Sequence, residues 1–364
     1  MDCHASIATL SLDLSKLPSH LNKLDYVLPS KQLAPPTTLN SVGAALTSKI
    51  AEFNSLTRLL RKKAKGFDLV CACNFPSYWA TYFAKTGKPL LWLSSEVLGP
   101  YSETKDIYNR SYFFRFALEI AKKIDKHIVN RFVDPIITCS ELNSRLILNR
   151  YGREAVVVHT GVDYDYFDTK VPNAKARLGF GDSILLLHVG TLIEKKNHIL
   201  SIRALKRLKQ NFDCKLVIVG EGPWKPRLQK EAEKLDVQND VIFTGSISEN
   251  KLRSFYYACD VNLFPVKDQT WGLVPFEALV AGKPSIISNG CGAAEIMKQE
   301  KIALLIEPTV EDLEKAVTFA LTNPDFIKAM VKRGKTFVLE NLTWTKYAQD
   351  VYCIYRDVLY AKQK

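Results

Sequence analysis

Two strand–helix series in succession predict an α/β protein of two Rossmann-like domains, each a parallel sheet with helices on its faces. Three observations carry the prediction. Short buried runs of Val, Ile and Leu alternate with longer amphipathic segments. The alternation pauses near Asp163–Val171 and restarts from about Ala174. Strands of the second series close on Gly190, Gly220 and Gly245, so ligand is expected at the carboxyl ends of the strands. The domains are expected at residues 1–165 and 166–342, facing one another across a cleft. A terminal helix over 343–364, carrying Trp344, Tyr347, Val351 and Tyr355, completes the chain.

In the first series, Ala5–Leu10 reads as a strand and a polar, Pro-containing stretch reaches about Asn40. Ser41–Lys65 is an amphipathic helix ending in Arg61-Lys62-Lys63. The strand Leu69–Cys73 is broken by Asn74-Phe75-Pro76. A helix over Ser77–Lys85 follows, then a strand over Pro89–Leu93 that ends at Ser94-Ser95-Glu96. Ile107 to about Arg131 is helical, Pro135–Cys139 a strand, Glu141–Tyr151 a helix capped by Ser140, and Ala155–His159 a strand.

The second series has strands at Ser183–Val189, Lys215–Val219, Val241–Phe243 and Asp260–Phe264. Its helices cover Asn197–Leu208, Trp224–Leu235 and Leu252–Ala258. It leads into Lys267–Glu295, KDQTWGLVPFEALVAGKPSIISNGCGAAE, around which the chain is organised. Pro275 is tolerated in a first helical turn, where its missing N–H would have no partner anyway. Glu277 sits at the positive end of that helix, and Gly282 ends it. Pro284–Ser288 is a strand, and Asn289–Gly292 a turn expected to open N–H groups to a ligand.

At 364 residues the chain accommodates two domains, and 47% hydrophobic content places it among globular proteins. No apolar run is long enough to span a bilayer, and the N-terminus lacks the layout of a signal peptide. Eight Cys are scattered singly apart from Cys71-Ala72-Cys73, which is no metal clip, so no metal is expected and a reducing cytoplasm is. A net charge of +12 favours anionic partners. Without a recognisable DNA- or RNA-binding motif, nucleic acid is the weakest of these and is not expected.

Gln269, the Gly272–Leu273 turn and Glu277 resemble the signature of family 4 nucleotide-sugar glycosyltransferases, of the GT-B fold. That signature runs Glu, seven residues, Glu. Glu277 fills its second position and Gln269 replaces its first. Gly190-Thr191-Leu192 and Lys196 resemble the family's Gly-Arg-Leu, three residues, Lys, with Thr191 replacing Arg. Phe67–Val70, Asn74–Pro76, Tyr151-Gly152, Val156–Asp163 and Phe167 recur in the family in this order, with Thr160 where Asn or Pro is usual. The resemblance covers the second domain throughout and the first from its second strand on. The family's opening strand, Gly-rich loop and helix have no counterpart, so the first domain is expected to be N-terminally shortened.

The resemblance implies a retaining hexosyltransferase using a nucleotide diphosphate sugar and a saccharide or lipid-linked acceptor, without cofactor. It implies donor contacts from Gly190, Thr191, Lys196, Gly220, Glu221, Gly245, Gln269, Trp271, Gly272, Leu273 and Glu277. A diphosphate leaving group gathers negative charge, so a positioned cation lowers the barrier, and Lys196 fits that role better than Lys195. The catalytic set is Lys196, Gln269 and Glu277, with Glu96 the best-placed titratable group of the acceptor side. Plainer accounts stand beside these: a solvated basic turn at Lys196, simple turn chemistry at the glycines, and a loop contact or cap at Glu96. His159 and His188 read as hydrogen-bonded structural residues. The absent Arg, Glu and acceptor-side His leave a non-catalytic nucleotide-sugar-binding homologue or partner subunit as the alternative. An epimerase of the same fold would want cleft carboxylates or His that the sequence does not supply.

Tyr108, Tyr112, Phe113, Phe114 and Phe116 lie among Arg110, Arg115, Lys122, Lys123 and Lys126. Such a helix suits an anionic membrane surface, with peripheral attachment at the inner face. The bland account packs the aromatics inward.

Overall fold

The computed structural model describes residues 6–8, 25–27, 42–96 and 112–361. In chain order the elements are β1 (Ser6–Ala8), β2 (Asp25–Val27), α1 (Val42–Lys63), β3 (Val70–Cys73), α2 (Ser77–Ala84), β4 (Leu90–Ser94) and α3 (Tyr112–Phe132). Then come β5 (Val133–Thr138), α4 (Glu141–Tyr151), β6 (Val156–Val157), α5 (Tyr164–Asp168), α6 (Ala174–Arg177), β7 (Ile184–Val189), α7 (His198–Leu208) and β8 (Cys214–Val219). The series continues with α8 (Lys225–Lys234), β9 (Val241–Gly245), α9 (Glu249–Ala258), β10 (Val261–Phe264), α10 (Val274–Val280) and β11 (Ser285–Ser288). It closes with α11 (Gly292–Gln299), β12 (Leu304–Ile306), α12 (Val310–Thr322), α13 (Pro324–Asn341) and α14 (Trp344–Ala361).

The chain divides into two compact units. One holds residues 1–138, 143–157 and 352–364; the other holds 139–142 and 158–351. In the first, β3-β4-β5-β6 form a four-stranded sheet in that order, parallel throughout, and β1 pairs with β2 in a separate parallel ladder. Leu56, Leu59 and Leu60 on α1 pack against Ala80 and Ala84 of α2, so the two helices cover one patch of core. The basic residues Arg61, Lys62 and Lys63 close α1 where the dipole favours cations.

The centre of this unit is built around a carboxylate. Asp125 on α3 is fully buried and accepts hydrogen bonds from Tyr78 Oη (2.7 Å), Trp79 Nε1 (2.6 Å) and Tyr151 Oη (2.7 Å). One side chain thereby joins α2, α3 and α4. Trp92 of β4 packs on Tyr78 and Tyr151, with ring centroids 4.7 Å and 5.8 Å apart. Burial raises the Asp125 carboxyl above its usual range, and the three donors act against it.

In the second unit six parallel strands run in the order β12-β11-β10-β7-β8-β9. Leu185, Leu186 and Leu187 of β7 and Leu216, Val217 and Ile218 of β8 are fully buried, as expected where helices cover both faces of a sheet. Asp260 fastens the start of β10 to its neighbours: its Oδ2 accepts from the Leu185 N–H and from Lys175 Nζ, both at 2.7 Å.

Several sequence expectations need adjustment. The strand expected over Ala155–His159 is only Val156–Val157, because the chain leaves the sheet and His159 Nδ1 turns to the Cys139 carbonyl at 2.9 Å. The polar stretch before Asn40 contains β2, and α9 begins at Glu249 because Ser248 caps it. Two of the N–H groups of the Asn289–Gly292 turn are already bonded. Asn289 donates to Ile306 O and Gly292 to Gln269 O, both at 2.9 Å, and Gly292 opens α11. Residues 107–111 of the expected long helix lie outside the described residues.

Removing the carboxylate leaves two buried hydroxyls and a half-buried indole N–H without their acceptor. Asp125→Ala is therefore expected to lower unfolding free energy by about 3 kcal/mol or more, and Tyr151→Phe by about 2 kcal/mol. Urea unfolding followed by tryptophan fluorescence tests this. An Asp125→Ala midpoint equal to wild type would show that α2, α3 and α4 are held by other contacts.

Candidate functional site

From β7 the chain winds through β8 to β9 on one side of the sheet. Beyond β7 on the other side lie β10, β11 and β12. The winding therefore reverses between β7 and β10, whose pairing sets Val261 beside Leu186 and Asn262 beside Leu187. A reversal of this kind leaves a crevice at the carboxyl ends of the two strands, where doubly wound folds receive ligands.

The loops over this crevice are residues 190–197 after β7 and 265–273 after β10, and they are interlocked. The Lys267 N–H donates to Lys195 O at 2.8 Å, and Asn197 Nδ2 donates to Pro265 O at 3.1 Å. Asn197 adopts a left-handed backbone (φ 57°), which ends the Glu194–Lys196 turn and starts α7. Lys196 Nζ donates to Gln269 Oε1 at 2.5 Å and lies 5.7 Å from the centre of the Phe264 ring. A Cβ on Gly190 would come within 3.3 Å of Lys196 Cδ, so the Lys stem lies against the bare backbone. Lys195 is exposed and Lys196 is partly buried.

The amide of Gln269 is held at both ends, since its Nε2 donates to Trp271 O. Trp271 is clamped between the rings of His159 and Phe276, with centroids 5.0 Å and 5.3 Å away. Gly272 is obligatory: a Cβ there would lie 2.4 Å from Phe264 Cζ. Among the described residues the Gly272 and Leu273 N–H groups make no backbone hydrogen bond. One turn on, Glu277 Oε2 accepts from Tyr256 Oη at 2.6 Å. Burial pushes the Glu277 carboxyl up to about 7, with the Tyr256 hydroxyl acting downward and Glu249 upward.

The turns after β8 and β9 meet beside these loops. Gly220 has φ 135°, a Cβ on it would lie 2.2 Å from Gly190 O, and its N–H donates to Gly245 O at 3.1 Å. The exposed Glu221 accepts the Leu192 N–H through its carbonyl at 2.9 Å, and its Oε1 comes within 3.1 Å of where a Gly245 Cβ would be. Thr191 is exposed. The structure thus brings together Gly190, Lys196, Gln269, Trp271 and Gly272 on one pair of loops, with Gly220, Glu221 and Gly245 alongside and Glu277 one turn beyond. Glu96 belongs to the other unit, where it follows β4 and its carbonyl accepts from Ser94 Oγ at 3.4 Å.

Under the 190–197 loop lies a pair that no sequence pattern joins. His188, at the end of β7, and His198, at the start of α7, stack with centroids 3.9 Å apart, and His188 Nδ1 is 2.9 Å from Ser201 Oγ. Burial, then the His198 ring, then Lys196 hold His188 well below its usual range. Burial and Lys196 push His198 down to about 3. Two neutral imidazoles therefore support the loop without adding cations beside Lys196. Tyr256 and Phe264 were also missed, since in sequence they are ordinary members of apolar segments. Among the described residues no three His, Cys, Asp or Glu side chains come together to hold a metal ion.

Residues 171–337 match the family described as Glycosyl transferases group 1. The chain is 29% identical over 242 residues to the GDP-mannose-dependent alpha-(1-6)-phosphatidylinositol monomannoside mannosyltransferase of Mycolicibacterium smegmatis, covering 62% of this chain and 63% of that one. It is 28% identical over 250 residues to the alpha-monoglucosyldiacylglycerol synthase of Streptococcus pneumoniae, covering 65% and 56%. The chain spans about three fifths of the length of the curated relatives it matches. Sucrose-phosphate synthase of Thermosynechococcus elongatus superposes with a TM-score of 0.79 at 21% identity, over 98% of this chain and 90% of that one. The shared fold is GT-B.

The two imidazoles make stability depend on pH. Their folded values lie below the unfolded value of 6.5, so the unfolded chain binds more protons below that pH. Both contributions are complete above pH 6.5; that of His198 is lost as pH falls toward 3, and that of His188 is likewise lost on acidification. Each ring should steepen the loss by about 1.4 kcal/mol per pH unit in that window. His198→Leu should flatten the curve by one ring's share in denaturant titrations at several pH values. Parallel curves for wild type and variant would exclude a neutral buried His198.

Proposed function

We propose that this chain, whose residues 171–337 form a glycosyl transferases group 1 domain, moves a hexose with retention of configuration from a nucleotide diphosphate sugar to a saccharide or lipid-linked acceptor. The observation that carries the proposal is the Lys196–Gln269 contact over the β7/β10 reversal, with Glu277 one turn further along. The names of the relatives, a GDP-mannose-dependent mannosyltransferase and a glucosyldiacylglycerol synthase, favour a hexose donor and, of the two acceptor classes, a lipid.

On this reading the diphosphate rests on the Gly272 and Leu273 N–H groups, with the Lys196 ammonium beside it. Glu277 accepts the ribose hydroxyls, Gln269 meets the sugar hydroxyls, and Gly190, Gly220, Glu221 and Gly245 line the nucleotide. In the reaction the bond from the sugar's anomeric carbon to the phosphate oxygen breaks, and the diphosphate leaves with the electron pair. The acceptor oxygen bonds that carbon on the same face, and its proton passes to the departing phosphate oxygen. Lys196 opposes the charge that grows on the diphosphate, which is where a fixed cation lowers the barrier. Thr191 and Gln269 favour the second reading, a homologue that binds nucleotide sugar without turning it over.

Screening nucleotide sugars by thermal shift should identify a donor that raises the melting temperature. With that donor, Lys196→Ala is expected to lower kcat about 10²- to 10³-fold. Binding without hydrolysis or transfer in wild type would favour the second reading, and unchanged turnover in the variant would remove Lys196 from the mechanism.

Glu277 gives an independent test. Its ionised form is the better acceptor for two hydroxyls, so donor affinity should rise as pH increases through about 7. Tyr256→Phe removes a hydrogen bond that stabilises the carboxylate and should move that midpoint to higher pH. Calorimetric titration between pH 6 and 8.5 reads both effects. A flat profile would exclude the assigned contact.

A further inference from the structure

Helix α3 is buried along only part of its length. Asp125, Ile128 and Val129 in its second half have no exposed surface, whereas Tyr112, Phe116, Ile120 and Ile124 are 85%, 57%, 43% and 37% exposed. These four recur at every fourth residue, so at about 100° per residue they form a stripe about 120° wide along one side of the helix. Arg115, Lys122 and Lys126 lie along one flank of the stripe together with Glu119, which pairs with Lys122 at 2.7 Å, and Lys123 falls inside the stripe; Arg115, Lys123 and Lys126 are exposed. The bland account of this helix, aromatics packed inward, does not hold for Tyr112 and Phe116.

We propose that this stripe is a docking surface for an anionic lipid bilayer, with the helix lying in the interfacial plane. Its apolar residues enter the acyl boundary while the basic edge meets lipid phosphates. Charge decides between occupants. A second copy would set one cationic edge against another, whereas an anionic bilayer complements that edge and the +12 of the whole chain. Tyr112 supplies an aromatic body with a polar tip, the combination suited to the headgroup level. Among the described residues no helix is long and apolar enough to cross the membrane, which fits a helix that lies on it. The inference stands on the first unit alone and does not depend on what the second unit binds.

Flotation of the purified full chain with phosphatidylcholine vesicles, with and without phosphatidylglycerol, tests the proposal. Wild type should partition at least about ten-fold better when phosphatidylglycerol is present, and lose the difference in high salt. Phe116→Ser/Ile120→Ser and Lys123→Glu/Lys126→Glu should each cut partitioning about ten-fold while leaving thermal unfolding unchanged. Stabilisation by nucleotide should also persist in both variants, which separates this surface from the donor site. Wild type that stays with the dense fractions overturns the proposal, as does flotation unaffected by either variant. A lipid-free dimer that Phe116→Ser/Ile120→Ser converts to monomer assigns the stripe to a second copy and overturns it as well.

Discussion

The contact between the Lys196 ammonium and the Gln269 amide is the constraint on which the rest of the second unit's site depends. It exists because β7 and β10, widely separated in sequence, are neighbours in the sheet, so the loops that follow them leave side by side. A Lys drawn partly out of water must find an acceptor, and Gln269 Oε1 and the Phe264 ring supply one. Everything nearby serves that placement. Gly190 and Gly272 leave out side chains where Lys196 and Phe264 pass, and Asn197 bonds Pro265 to hold the loops together. The His188–His198 stack fills the space beneath with rings that stay neutral.

The two units solve the problem of a central tie differently. The first gathers three helices on one carboxylate, Asp125, whose ionisation is opposed by burial and favoured by two hydroxyls and an indole N–H. The second relies mainly on apolar strands, with polar ties both at a strand start, as at Asp260, and inside the sheet, where Asn262 of β10 donates to Ser285 of β11 at 3.1 Å.

Much of the architecture was legible because buried parallel strands announce themselves as short runs of Val, Ile and Leu. The runs at 183–189, 215–219 and 260–264 became β7, β8 and β10 with shifts of a residue, and α4 matches its expected bounds. Edge elements were harder. The run 155–159 is apolar enough for five strand residues, yet β6 pairs with β5 alone and His159 is drawn off to a carbonyl. At the Asn289–Gly292 turn, sequence shows which N–H groups are present but not that those of Asn289 and Gly292 are already bonded. The same limit hid the partners of the site. Lys196, Gln269 and Glu277 could be picked out by spacing and resemblance. Tyr256 beneath Glu277 and Phe264 beneath Lys196 could not, because an aromatic in an apolar run carries no mark of what it will touch.

The two departures from the family signature are best understood together. Where the signature this chain resembles has Arg and Glu, this chain has Thr191 and Gln269, on the two loops that interlock over the β7/β10 reversal. Losing the Arg alone would leave a carboxylate to offset the Lys196 charge, and the positive field at the crevice would fall. Losing the Glu alone would leave two cations close to one another with less to balance them. Losing both keeps the same net positive charge at the crevice, concentrated on Lys196. The neutral amide accepts the ammonium through Oε1 and still donates through Nε2 to Trp271 O, a carbonyl that a carboxylate in this pose would repel. The Trp271 residue, its ring held between His159 and Phe276, thus presents its carbonyl to an amide donor that a carboxylate could not supply.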